Sequence, residues 1–308
     1  MSKLQPFHVF LAETTRLNSL YWTSKYTYRR MADMLEAIAR TSSENANPRV
    51  DELWPSTLSG ERRHISRPVL EFRQQLIQNE ADLRAVAVLQ MCSAFEAALA
   101  NYFALCALYL PERVEADVPY TAVPKVLQRP DEFDNLRAWA IERAGNSLVG
   151  PYSQRITSIA RKFKFRKPAL SLQVYLDIDQ HQLKRHLIAH DQGLSKADAP
   201  DRSVSEVLAS RVTLSEEAWK AVIDDFTTVV TALDANIQEK VVKDRGVALA
   251  VYHIVQRDGK ATVSELRHRI LSERNLDTLD AQAIVDAATD IGLNVVRSAR
   301  RVVKITLP

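Results

Sequence analysis

The sequence predicts an all-α protein. Glycine is scarce, with 7 residues among 308, and aromatic residues make up only 7% of the chain. An all-β sandwich or barrel needs many glycine-rich turns, so this composition disfavours both and favours helices. The hydrophobic fraction of 46% is large enough to fill a core and excludes wholesale disorder.

The N-terminal third predicts two long helices joined by a loop. Residues 6–40 are rich in aromatic side chains and predict the first helix. Residues 41–68 are punctuated by proline and glycine and predict the loop. The second helix is expected over residues 69–110, with a break possible near Asn79, and Pro111 ends it.

Four further helices are expected before residue 243: 131–144, 152–167, 170–193 and 213–242. Gly193 follows a long polar and apolar run and predicts the end of the third of these helices. Thr213 and Glu216 have the spacing of a capping box, which predicts the start of the fourth.

The last residues of the chain have a different pattern. An apolar helix over 247–255 is followed by a helix that starts at the capping box of Thr262 and Glu265. A third short helix follows Asp277 and ends at Gly292, and two β-rich runs come after it. Three short helices and a β-hairpin are the element order of a winged helix. We therefore divide the chain into a helical domain, 1–243, and a small winged-helix domain, 244–308.

Charge and cysteine content limit the possible settings. The 41 basic and 38 acidic residues leave a net charge of +3, so any nucleic-acid surface must be a local patch. Cys92 and Cys106 lie 14 residues apart on one expected helix, roughly 21 Å apart and too far for a disulfide. Two unpaired thiols suit a cytoplasmic location. The apolar run 85–110 contains polar residues, which predicts a buried helix and no membrane partner.

The most informative segment runs from Arg185 to His190. It contains two histidines, His186 and His190, and a third histidine, His181, lies just before it. Histidine can move a proton near neutral pH, and arginine can hold the negative charge that grows on a phosphoryl group during RNA cleavage. On a helix, Arg185 and His190 point about 140° apart and are offset by roughly 7.5 Å. A second copy of the chain across a two-fold axis could complete the cleft.

This segment resembles the Arg-x4–6-His motif of the HEPN superfamily. The run VLQMCSAFEAALANYF also looks like the earlier core helix of HEPN domains, and the resemblance covers roughly residues 70–242. It implies an α-helical bundle and a dimeric, metal-independent endoribonuclease without a cofactor, in which Arg185 and His190 are catalytic. It also implies products with a 2′,3′-cyclic phosphate and a 5′-hydroxyl, and a role as a toxin or anti-phage effector with a possible antitoxin or defence-system partner protein.

Two residues are expected to support the site. Glu96 follows the spacing of an apolar stripe, so its carboxylate needs a partner. That partner is either a nearby cation or, in a more specific interpretation, Arg185 or a motif histidine that Glu96 orients. His186 lies between the two motif residues. His186 and His190 could instead share a zinc ion, but no glutamate follows His186 directly and no cysteine is near, so we expect no metal.

A basic segment precedes the motif, and two phenylalanines, Phe163 and Phe165, alternate with its cations. Its cations are Arg155, Arg161, Lys162, Lys164, Arg166 and Lys167. Such residues can neutralise RNA phosphates while the rings stack on bases. Alternatively, the segment is a solvated helix end whose two phenylalanines belong to the core. We predict RNA contacts at Arg161, Lys162, Lys164, Arg166 and Lys167.

The expected wing of the C-terminal domain leaves two interpretations open. The third helix is acidic, which disfavours phosphate, whereas the β-rich runs carry Arg297, Arg300, Arg301 and Lys304. The domain either touches nucleic acid through this wing or mediates protein contact. The alternative function is therefore a non-catalytic module that binds nucleic acid or protein, such as a regulator.

Overall fold

The computed structural model is mostly helical, which confirms the predicted all-α class. It describes residues 3–42, 47–53, 66–115, 130–190, 214–242, 245–274, 279–297 and 303–307. The chain forms two compact units. The first unit comprises Met1–Leu11, Ala94–Gln180 and Asp225–Pro308, and the second comprises Ala12–Ser93 and His181–Asp224. The predicted domain boundary at 243–244 lies outside the described residues and stays a prediction.

Helices account for every regular element described before residue 243. They are α1 (Gln5–Ser42), α2 (Val50–Leu53), α3 (Val69–Tyr109), α4 (Pro130–Ser147), α5 (Tyr152–Lys162), α6 (Leu172–His190) and α7 (Glu216–Ile237). A 3₁₀ turn, Pro111–Arg113, follows α3, and a π-helical turn, Gln238–Val242, extends α7. The expected end of the second long helix before Pro111 is therefore confirmed.

Two expectations for the N-terminal third are wrong. Helix α3 runs through Asn79 without a break, because no glycine or proline interrupts it and its neighbours Leu76 and Glu80 are buried. The expected loop contains α2 and an isolated antiparallel bridge between Arg49 and Pro68.

Helix α3 is the main core helix. Within the described part of the chain, it alone is long and apolar enough to span a membrane by length and composition. However, 56% of its most apolar stretch is buried inside the protein, and the core helices of soluble proteins pass the same test. This burial agrees with the expected core helix. The absence of a membrane partner stays a prediction.

An aromatic cluster fills the core of the first unit. The ring of Phe95 on α3 stacks on Phe226 of α7 at 4.2 Å between centroids. Tyr152 of α5 and Phe10 of α1 meet the same ring edge-on, at 5.1 Å and 6.4 Å. Phe95 is fully buried, so a single side chain on α3 contacts three other helices.

A partly buried ion pair holds α1 to α7 in the second unit. The ammonium of Lys25 is buried, donates a hydrogen bond to the carboxylate of Glu216 and lies 4.7 Å from the centroid of the Trp22 ring. Lys220 adds a second ion pair to Glu216 at 3.0 Å. The hydrogen bond from Lys25, and then that from Lys220, lowers the pKa of Glu216 from 4.5 to about 2.

The ion pair of Lys25 and Glu216 makes the stability of the protein depend on pH. Because the folded state has the lower pKa for Glu216, its stabilising effect is fully present above about pH 4.5 and is lost as the pH falls through about 2. We expect the melting temperature to fall over this interval, as measured by circular dichroism. Glu216→Gln should melt lower than the wild type at neutral pH and lose less stability on acidification. An unchanged acid profile in Glu216→Gln would contradict this assignment.

Helix α7 begins at a different cap from the one expected. It starts at Glu216, and the hydroxyl of Ser215 accepts a hydrogen bond from the backbone N–H of Ala218 at 3.1 Å. The cap of α7 is therefore Ser215. Thr213, the expected cap, lies outside the described residues.

The C-terminal region combines three helices with a small sheet. Its elements are α8 (Arg245–Asp258), β1 (Lys260–Thr262), α9 (Val263–Arg274), α10 (Ala281–Asp290), β2 (Asn294–Arg297) and β3 (Val303–Thr306). The sheet order is β1-β3-β2, with both pairs antiparallel. Strand β1, which has three residues, is not predicted from the sequence.

Capping chemistry sets the helix ends of this region. The capping box of Thr262 and Glu265 is confirmed, because the Thr262 N–H donates to Glu265 at 2.8 Å and the Glu265 N–H donates to Thr262 at 3.2 Å. The cap of α10 is Asp280, whose carboxylate accepts from the Gln282 N–H, whereas Asp277 was expected and lies outside the described residues. Gly292, at φ +75°, follows the last turn of α10, as predicted.

Candidate functional site

Helix α6 carries the whole histidine motif. Arg185 and His190 fall within its last two turns, and no break separates them. Arg185 is partly exposed and His186 is exposed. His190 is the last residue of α6, and its side chain lies outside the described part of the structure. On a continuous helix the two motif residues diverge by about 140°, as the sequence predicts.

Hydrogen bonds anchor the middle of α6, just before the motif. In the first unit, Asp179 accepts a hydrogen bond from the backbone N–H of Ser153 at 2.9 Å. In the second unit, His181 is buried, and the thiol of Cys92 lies 3.8 Å from its carbonyl oxygen. The motif helix is therefore held by packed neighbours, as a site that requires fixed geometry needs.

Glu96 has a cation as its partner, as one of the two interpretations expects. Its carboxylate accepts a hydrogen bond from the Tyr152 hydroxyl at 3.1 Å and pairs with Arg155 at 3.5 Å. The side chain is about 25% exposed. The helix stripe places Glu96 at the margin of the core, where the longer α5 side chains reach it. A role of Glu96 in orienting Arg185 stays a prediction.

Two cations of the basic segment are engaged within the protein. In addition to its ion pair with Glu96, Arg155 donates a hydrogen bond to the carbonyl of Gly150 at 2.9 Å, and its guanidinium lies 5.2 Å from the centroid of the Tyr152 ring. The ammonium of Lys167 lies 3.3 Å from the centroid of the Tyr175 ring. Burial lowers the pKa of Lys167, and the charge of Asp179 opposes this effect.

The two phenylalanines of the basic segment belong to the core. Phe163 and Phe165 are buried, and Phe163 meets Phe103 edge-on at 5.2 Å. The structural interpretation of these rings is therefore confirmed, and neither is available to stack on a base. The predicted helix over 152–167 is also too long, because α5 ends at Lys162.

A left-handed residue causes the early end of α5. Lys164 has φ +56°. This turn lets the N–H of Phe165 donate to the carbonyl of Ala160 at 3.0 Å and the N–H of Lys164 donate to that of Arg161 at 3.4 Å. These two bonds form a Schellman motif, which usually has glycine at the left-handed position. The turn folds both phenylalanine rings inward and leaves the cations between and beside them outside.

Four predicted RNA-binding residues are exposed on this turn: Arg161, Lys162, Lys164 and Arg166. Two of them also line a cleft of about 400 Å³ in the first unit, together with Phe103, Ser147 and Ser158. The cleft thus combines cationic and hydroxyl groups, which are the side chains that bind phosphate.

The described residues contain no group of three or more histidine, cysteine, aspartate or glutamate side chains that could hold a metal ion. Because the side chain of His190 is not among them, the pair of His186 and His190 stays outside that search. The expectation that the site uses no metal stays a prediction.

Comparisons of the chain with protein-family models, with curated proteins and with solved structures find no match.

Proposed function

We propose that this protein is a metal-independent endoribonuclease of the HEPN type with Arg185 and His190 as its catalytic residues. The observation that carries the proposal is their position, since both lie in the last two turns of one unbroken helix in a mostly helical protein. The exposed cations that precede this helix in the chain supply a surface for the RNA backbone. The setting implied by the same resemblance is growth arrest by a toxin or defence against phage in the cytoplasm.

The proposed reaction is an internal transesterification. The 2′-oxygen of one nucleotide attacks the adjacent phosphorus while the bond from phosphorus to the 5′-oxygen breaks. One His190 accepts the proton of the 2′-hydroxyl, and the leaving 5′-oxygen receives a proton from a second, protonated His190. Arg185 stabilises the extra negative charge on the phosphoryl oxygens. The products are a 2′,3′-cyclic phosphate and a 5′-hydroxyl, and no atom of a cofactor is consumed.

The proposed active form is a homodimer. One Arg185–His190 pair is splayed on its helix, and the reaction uses two histidines, so a second copy has to supply the other half. Diluting the enzyme below its dimerisation range should therefore lower the activity per chain. A monomer with full specific activity in sedimentation and cleavage assays would contradict the composite site.

Supporting roles are proposed for two other residues. His186, exposed beside Arg185, contributes to substrate binding and not to proton transfer. Glu96 pairs with Arg155 on α5, and its proposed supporting role is to orient Arg185 or a motif histidine.

A substrate with one modified sugar tests the proposed chemistry. In an RNA oligonucleotide cut at a mapped position, replacing the 2′-hydroxyl at that position with hydrogen removes the nucleophile. We expect cleavage there to stop while binding persists, because the phosphate contacts are unchanged. Continued cleavage at the modified position would show that water is the nucleophile and would overturn the HEPN assignment.

A second candidate function is favoured by the C-terminal region. Three helices and a three-stranded sheet support the proposal of a winged helix, and the exposed Arg297 and Lys304 lie on its last two strands. In the register of β2 with β3, Lys304 pairs with Val296, and Arg297 pairs with Val303. Paired residues share a side of the sheet and successive residues alternate sides, so the two cations lie on opposite sides of the hairpin. Asp286 on α10 is exposed and would repel phosphate. A non-catalytic role would therefore use the hairpin and not this helix.

Charge removal from the hairpin tests this second candidate. We expect the double variant Arg297→Ala/Lys304→Ala to weaken DNA or RNA binding roughly tenfold, since each lost phosphate contact reduces the electrostatic part of affinity. The matched control is Lys260→Ala, which removes an exposed charge from β1. Equal affinities of the double variant, the control and the wild type in filter binding would show that these two cations do not bind nucleic acid.

A further inference from the structure

We infer that the cleft beside the C-terminal ends of α4 and α5 is a phosphate-binding subsite for one nucleotide unit of a bound RNA. Its binding groups are the hydroxyls of Ser147 and Ser158 and the cations of Arg161 and Lys162. The choice of RNA as the ligand rests on the proposed function. The phosphate chemistry of the cleft is independent of it.

The polar groups of the cleft have unused hydrogen-bonding capacity. In the described part of the chain, the side chains of Ser147, Ser158 and Arg161 make no hydrogen bond or ion pair, and all three are at least partly exposed. Lys162 makes one long contact, 3.4 Å from its ammonium to the carbonyl of Val114, which leaves two of its three N–H donors. These groups can provide a fork of donors, a point charge and two hydroxyls, a set that surrounds a phosphate.

The cleft has the size of a nucleotide fragment and not of a bare ion. Its volume of about 400 Å³ lies in the lower part of the range for small-molecule sites. Phe103 is buried at its wall and packs on Phe163, so this part of the wall is apolar. A ribose can lie against this wall while its phosphate faces the cations.

The helix ends beside the cleft would by themselves disfavour an anion, because carbonyl groups point outward from a helix C-terminus. The Schellman turn removes much of this effect in α5. The carbonyls of Ile159, Ala160 and Arg161 each accept a backbone N–H from Phe163, Phe165 and Lys164 respectively. The two cations in the last turn of α5 then leave a net positive charge at this wall of the cleft.

The backbone of Lys164 is a second, independent sign of function. A lysine at φ +56° is strained, and glycine would occupy the same position without strain. Such residues persist where the surrounding structure holds them, and they cluster at binding sites. Lys164 is exposed two residues after Lys162, so the use consistent with its surroundings is a contact to the same RNA backbone.

Binding measurements on the full chain test the subsite without cleavage. In a His190→Ala background, a labelled single-stranded RNA is titrated into Arg161→Ala and Ser147→Ala/Ser158→Ala by fluorescence anisotropy. We expect each variant to bind roughly tenfold more weakly, because charged and hydroxyl hydrogen bonds to phosphate are lost. Arg161→Ala should also reduce the salt slope of log affinity by about 0.7, the value for one single-strand phosphate.

The matched control is Arg137→Ala, which removes an exposed arginine from α4 in the same unit. Affinity losses equal to this control, or an unchanged salt slope in Arg161→Ala, would overturn the subsite. Competition by inorganic phosphate and by a nucleoside monophosphate identifies the ligand. If these competitors displace the RNA only at concentrations far above that of the RNA, the cleft binds one unit of an RNA chain, as proposed. If the free nucleotide binds tightly and the variants leave RNA affinity unchanged, the proposal is overturned.

Replacing the strained lysine separates function from stability. We expect Lys164→Gly to raise the melting temperature while weakening RNA binding roughly threefold, since it relieves strain and removes one charge. Unchanged RNA affinity in Lys164→Gly would contradict the role of this residue. The subsite and the nuclease activity are tested separately. If the cleft variants lose RNA binding but the wild type does not cleave RNA, only the proposed nuclease activity is wrong. If cleavage depends on His190 but the cleft variants bind RNA normally, only the proposed subsite is wrong.

Discussion

Replacing His190 with alanine is expected to lower the rate of RNA cleavage by about 10²–10⁴-fold, the usual contribution of a positioned acid–base group. Arg185→Ala should cost a similar factor, because the charge that develops on the phosphoryl oxygens loses its donor. Both variants should fold, since Arg185 is partly exposed and His190 ends α6. If the wild type arrests growth in cells, both variants should be harmless and accumulate normally.

Neighbouring substitutions sharpen this prediction. Arg185→Lys should restore only part of the activity, because an ammonium cannot reproduce the two-pronged contact of a guanidinium. His186→Ala should be milder than His190→Ala, although both remove an imidazole from the same helix. Equal losses in the two histidine variants, together with full inhibition by EDTA, would instead identify a metal site.

Replacing Phe95 with alanine should destabilise the protein by about 3–5 kcal/mol, the usual cost of truncating a buried aromatic side chain. The ring is fully buried and contacts Phe226, Tyr152 and Phe10, so its removal leaves a cavity lined by three other aromatic side chains. Urea unfolding followed by circular dichroism measures the change. Phe95→Leu is the matched control, since it keeps most of the volume and should cost less than half as much. A loss below about 1 kcal/mol in Phe95→Ala would contradict the central place of this ring in the core.

The long helices could be predicted from the sequence because their signals are local. Residues 69–109 contain no glycine or proline, and the Thr262–Glu265 pair forms its capping box as its spacing predicts. A helix cap is harder to predict where several neighbouring polar residues are candidates, because they compete for the same backbone N–H groups. Thus Ser215 and Asp280 cap their helices, although Thr213 and Asp277 have equally suitable side chains.

The burial of the two phenylalanines in the basic segment could not be predicted from the local sequence pattern. Phe163 and Phe165 alternate with cations, which is equally consistent with exposed stacking rings and with core residues. The left-handed turn at Lys164 decides between them by directing both rings inward, and nothing in the sequence marks it, since glycine is absent there. Ser147 and Ser158 lie on separate helices, and only the folded chain brings them to one cleft with Arg161.

The partner of Glu96 also could not be predicted from the sequence. The stripe on α3 indicates that its carboxylate needs a partner, but Arg155 is 59 residues away, and several other cations were equally available. Packing of α5 on α3 selects it, through Tyr152 against Phe95.

The most direct test of the proposed function is cleavage of RNA in the presence of EDTA, measured side by side for the wild type and for His190→Ala. We predict that the wild type remains active and leaves 2′,3′-cyclic phosphate and 5′-hydroxyl ends, while His190→Ala leaves the RNA intact. Wild-type activity that disappears in EDTA and returns with a divalent cation, or undiminished cleavage by His190→Ala, would contradict it.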